Sequence, residues 1–129
     1  MKRTTTVMAM VTLASGAAVA ADAAQNEAML KLAGNAGCMT CHQLDPGGKG
    51  PDGMAPIGPA WRDVSGKYHG QKDAAQQLTT IVQTGSNPYE SHWKSKASGH
   101  PMPPSKVAIG EADTKKLVAW ILALDPMKR

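Results

Sequence analysis

Residues 38–42 read Cys38-Met39-Thr40-Cys41-His42, and they contain both cysteines of the 129-residue chain. Two intervening residues place the two sulfurs on one helical turn, and the next position adds an imidazole beside them. A disulfide at this spacing would close a tiny loop and constrain the unfolded chain little. A zinc site needs four ligands, yet His69, His92 and His100 are scattered rather than paired. A thioredoxin-like redox pair wants a strand before the motif and a βαβ setting, whereas a helical pattern precedes this one. The spacing suits haem attachment: each thiol adds to one vinyl group as a thioether, and His42 is carried to the iron as an axial ligand. One covalently bound haem c, with its iron, is the expected cofactor.

Upstream of the motif, Met29, Leu32, Ala33 and Ala36 recur at three- and four-residue steps, which predicts a helix over 26–36 with Asn26 as its N-cap. Downstream, residues 43–59 are crowded with glycine and with Pro46, Pro51, Pro56 and Pro59, so no regular element is expected. A short helix is predicted over 61–68. A better one follows over 73–84, with Asp73 as cap, Leu78, Ile81 and Val82 as its apolar face, and Gly85 as its stop. Residues 86–109 carry Pro88, Pro101, Pro103 and Pro104 and read as a second long loop. A last helix over 110–124 presents Leu117, Trp120, Ile121 and Leu124. No strand pattern or internal repeat is present. The predicted fold class is all-α. Two long loops in so small a chain are expected to wrap a ligand.

The N-terminus reads differently from the rest. Lys2 and Arg3 precede an uncharged, mostly apolar run over 7–20 that closes on Ala18-Val19-Ala20. That pattern predicts a cleaved signal peptide over 1–20 and a single domain over 21–129; an uncleaved N-terminal anchor is the rival reading. Removing Lys2 and Arg3 with the leader leaves 12 basic against 10 acidic residues. The balance offers no concentrated basic face for nucleic acid. With no Phe, three Trp and two Tyr, the chain has few large core residues, and a bound prosthetic group would supply much of its core.

The sixth iron position calls for a second ligand, and a methionine thioether would favour ferrous iron and raise the potential. Met29 falls on a core stripe, Met39 lies inside the attachment loop, and Met127 sits in the tail. Met102 stands in His100-Pro101-Met102-Pro103-Pro104, which proline makes extended and stiff. It is the expected ligand, with Met54 and His100 as alternatives.

These residues resemble the class I cytochromes c, especially the short bacterial monohaem His/Met type, over about 27–124. The resemblance rests on the Cys38–His42 motif after a helix, on Ile57-Gly58-Pro59-Ala60, and on Pro101-Met102-Pro103-Pro104. It implies a small cytochrome c fold in which the N- and C-terminal helices cross, with Trp120 packed at the crossing. It further implies that the Pro59 carbonyl accepts the His42 Nδ1–H. Trp93 is similar to the family tryptophan that hydrogen-bonds a haem propionate; simple packing against the haem is the other reading. Arg62 would either offset a propionate or face solvent. The loops over 43–57 and 87–99 are longer than in the shortest members.

The function expected is that of a periplasmic, monomeric electron carrier, not an enzyme, meeting redox donors and acceptors transiently and without stable membrane insertion. Lys67, Lys72, Lys94, Lys96 and Lys106 would either ring the docking edge or form plain solvated surface. The alternatives are a dedicated subunit of a periplasmic dehydrogenase or sulfur-oxidising complex, and a haem enzyme with an open axial site.

Overall fold

The computed structural model describes residues 15–90, 93 and 96–126, with side chains from Asp22 onward. Four α-helices carry the fold: α1 (Ser15–Asn35), α2 (Trp61–Tyr68), α3 (Ala74–Thr84) and α4 (Glu111–Ala123). Among the described residues there is no strand. The architecture is all-helical, as predicted. Short 3-10 turns at Cys38–Thr40 and Pro51–Gly53 interrupt the first long loop.

α4 is the hub. It packs on α1, α2 and α3, and its Leu117, Val118, Trp120 and Ile121 are buried. Where α1 meets this core, Ala33 is 0% exposed, and Met29, Leu32 and Ala36 pack beside it. A small side chain there lets two backbones approach closely. Trp120, buried in α4, donates its Nε1–H to Asn26 Oδ1 at 2.7 Å, tying the terminal helices together across 94 residues of sequence.

That contact corrects one expectation. Asn26 is not an N-cap, because α1 starts earlier, at Ser15. The reason lies in the run of residues 17–24, which contains six alanines, and alanine is the strongest helix former. The expected leader over 1–20 lies outside the described residues up to residue 14. Replacing Asn26 by Ala is expected to cost about 1 kcal/mol, since the Trp120 N–H loses its acceptor. Denaturant unfolding of the haem-loaded protein measures it, and the visible spectrum should not change.

α2 has the predicted bounds, but Ala60 provides no side-chain cap. Its orphan N–H groups are satisfied by the loop that follows the motif: Trp61 N–H donates to Gln43 O at 2.9 Å and Arg62 N–H to Leu44 O at 3.2 Å. The segment after His42 is thereby pinned to the start of α2. At its other end α4 is closed by Ser65 of α2, whose hydroxyl reaches the Leu124 carbonyl at 2.7 Å.

Arg62 also departs from expectation. It neither faces solvent nor borders the cavity described below: its side chain is 12% exposed, its Nε donates to Asp45 at 2.6 Å, and its Nη1 donates to the Asp125 carbonyl at 2.7 Å. One guanidinium fork joins the first loop, α2 and the chain beyond α4. No helix among the described residues is long and apolar enough to cross a membrane.

Candidate functional site

Residues 38–42 form one tight turn. The Cys38 carbonyl accepts from Cys41 N–H at 3.2 Å and from His42 N–H at 3.0 Å. Both cysteines are half-buried and not joined in a disulfide. Burial, with a smaller contribution from Cys41 nearby, pushes the Cys38 thiol above its ordinary range; its own backbone amide opposes this.

His42 is held from two sides. Its Nδ1 donates to the Pro59 carbonyl at 2.8 Å, which fixes the tautomer and leaves Nε2 with a free lone pair. Burial holds the imidazole below its ordinary pKa, while the Pro59 carbonyl works weakly the other way, so the ring is neutral near pH 7. Its second support is Trp61, which stacks on it with ring centroids 6.0 Å apart at 22°. Trp61 in turn meets Trp120 edge-on at 5.6 Å and 81°.

Gly58 is the close-approach residue here. Its N–H donates to Cys41 O at 2.8 Å, and a Cβ would come 2.7 Å from His42 Cε1. Any larger residue would therefore push the ring.

A cavity of about 790 Å³ opens beside this turn. Cys38, Cys41, His42 and Pro59 border it, and so do Met102 and Trp93. The structure thus brings these six residues to one cavity, while Arg62, the possible propionate partner, lies apart from it. Apolar side chains make up much of the remaining wall: Leu78, Ile81 and Val82 from α3, and Leu117, Val118 and Ile121 from α4. The predicted apolar face of α3 is only half-buried among protein atoms because it faces this cavity. Two sulfurs, a neutral imidazole and a thioether around a large apolar cavity suit a flat, greasy, iron-bearing macrocycle.

The alternatives for the second ligand are placed as well. Met54 is 71% exposed and does not border the cavity. His100 borders it, but its Nδ1 is engaged with Ser98 Oγ at 2.7 Å. Met29 packs against the core, and Met127 lies outside the described residues. Among the described residues no group of three or more His, Cys, Asp or Glu side chains could hold a metal ion, so the zinc reading finds no partners.

Trp93 is half-buried at the cavity edge with the Lys67 ammonium 4.6 Å from its ring centre. Lys96 pairs with Asp63. Two of the five lysines expected near a docking edge are therefore engaged within the protein, fastening the long second loop to α2; Lys94 lies outside the described residues. Trp61, Gln83 and Ser86 were not legible as site residues. Gln83 Nε2 donates to Thr114 Oγ1 at 2.6 Å and to the Ile109 carbonyl at 3.1 Å, satisfying a threonine that is 0% exposed on the cavity wall. Only Trp61 had a signal, its place two residues after Pro59.

The family model described as Cytochrome c matches residues 27–125. Cytochrome c-552 of Hydrogenobacter thermophilus is 36% identical over 94 residues, covering 73% of this chain and 79% of that protein. Cytochrome c-552 of Nitrosomonas europaea is 34% identical over 113 residues, covering 88% of this chain and 92% of that one. The crystal structure of the wild-type Nitrosomonas europaea cytochrome c552 superposes with a TM-score of 0.57 at 34% identity, covering 74% of this chain and 98% of that chain.

Proposed function

The chain belongs to the cytochrome c family, and from that premise we propose that it is an exported, soluble carrier of single electrons, with Cys38 and Cys41 attaching the haem and His42 and Met102 as axial ligands. The family's cofactor is one covalently attached haem c, which supplies reversible Fe(II)/Fe(III) cycling when bound. The observation that carries the reading is that both thiols, the oriented His42 and Met102 border one apolar cavity.

Each residue has a task there. The Cys38 and Cys41 sulfurs hold the cofactor through repeated encounters with partners. The Pro59 carbonyl fixes His42 and raises its basicity. Met102 sits between prolines that limit its backbone, so its position hardly depends on a weak iron–sulfur bond. With His42 and Met102 both holding the iron, the bound group would have no position left open to a substrate. That favours electron transfer over catalysis. Lys2 and Arg3 ahead of the uncharged, mostly apolar run over 7–20 support export to the periplasm, where haem attachment takes place.

The intact protein tests this. Its ferric form should be low-spin, inert toward peroxide, and reversibly reducible; its haem should stay with the protein in acid acetone; and its N-terminus should begin at Ala21. A high-spin ferric spectrum would reject the carrier reading.

A further inference from the structure

We propose that Ser86 is a positioning residue for Met102. The proposal rests on Met102 as the second axial ligand. Among residues 101–104 Met102 alone has a backbone N–H, because the other three are prolines. That single donor is given to a side chain: Met102 N–H donates to Ser86 Oγ at 2.7 Å. The bond is answered in reverse, with Ser86 N–H donating to the Met102 carbonyl at 2.9 Å. Both polar groups of the Met102 backbone are therefore held by one residue, sixteen positions earlier in the chain.

The neighbours of Ser86 strengthen the hold. Gly85 has φ +86°, and a Cβ there would come 2.9 Å from the Met102 carbonyl oxygen and 3.1 Å from Pro104. The loop thus lies directly on the backbone that ends α3. Ser105 N–H adds a bond to the Val82 carbonyl at 2.9 Å. Ser86 itself borders the cavity beside Met102. The prolines stiffen the loop internally, but stiffness alone does not say where a loop sits. The Ser86 bonds set that placement, and the hydroxyl is the part a substitution can remove without touching the backbone.

On this proposal, displacement of Met102 from iron by an added ligand moves the backbone as well as the side chain, and so breaks the Ser86 bonds. An incoming ligand's apparent affinity carries that cost. The test uses the haem-loaded ferric protein and imidazole as the probe. Loss of the thioether-to-iron charge-transfer band is followed as imidazole is added. Ser86→Ala should keep the band in the absence of imidazole but lose it at about threefold to tenfold lower imidazole, the equivalent of one net hydrogen bond. Ser86→Thr, which keeps the hydroxyl, should titrate with the wild type.

Equal imidazole affinity in Ser86→Ala and wild type overturns the proposal. So does a lowered unfolding midpoint in Ser86→Ala without any shift in imidazole affinity, which marks a purely structural role. A Ser86→Thr protein as loose as Ser86→Ala counts against it too. A Met102→Ala control separates the two levels: if the band survives there, the ligand assignment fails and the proposal with it. If the band is lost there and Ser86→Ala behaves as wild type, only the role of Ser86 fails.

Discussion

Met102→Ala is expected to abolish the thioether-to-ferric-iron charge-transfer band and to lower the reduction potential by on the order of 0.1 V or more, within the roughly 0.8 V that axial ligation commands. The direction follows from the ligand. A soft, neutral thioether favours ferrous iron, and its loss leaves water or a harder side chain to favour ferric iron. His100 is the nearest candidate to replace it in sequence, since it also borders the cavity. It must first give up its bond to Ser98, whose own backbone N–H is tied to the Pro56 carbonyl at 2.8 Å. Redox titration and ferric absorption together check the assignment. A surviving charge-transfer band would transfer the role to another methionine.

Replacing both Cys38 and Cys41 by Ala should release haem into acid acetone, where the native protein keeps it. The larger effect falls on the fold. Helices α3 and α4 present apolar side chains to a cavity of about 790 Å³. If even a quarter of that space were left as void, the cost would be on the order of 5 kcal/mol at about 24 cal/mol per Å³. A small domain has only roughly 5–15 kcal/mol of stability in all. The double variant is therefore expected to lose cooperative unfolding as its haem dissociates, followed by circular dichroism at 222 nm (a far-ultraviolet helix signal) against haem content. A cooperative transition in haem-free protein would show that the side chains alone close the core.

The helices were legible because each had a local cause. α2 has the predicted bounds, and α3 and α4 each begin one residue later than predicted. Punctuation by Gly85 and Pro126 and the apolar steps of α4 are short-range signals. The motif and the Pro59 partner of His42 were legible too, the second through family likeness. What was not legible depends on contacts between distant residues. The roles of Asn26, Arg62 and Gln83 are set by Trp120, by Asp45 with Asp125, and by Thr114. Nothing near them in sequence announces those partners. α1 was read too short because its alanines carry no amphipathic pattern, only propensity. Lys67 and Lys96 were grouped as surface charge because composition cannot show that an indole and a carboxylate wait beside them.

The bond between Trp120 and Asn26 has a bearing on the order of events during synthesis. The chain is made N-terminus first, so α1 and the cysteine motif exist well before α4. Until α4 arrives, Ala33 and its neighbours on α1 have nothing to bury against, and Trp61 lacks its edge-on partner. Closing contacts over 94 residues is slow compared with forming a local turn. Burial of the α1 stripe and the edge-on contact of Trp61 thus both wait on the last helix of the chain.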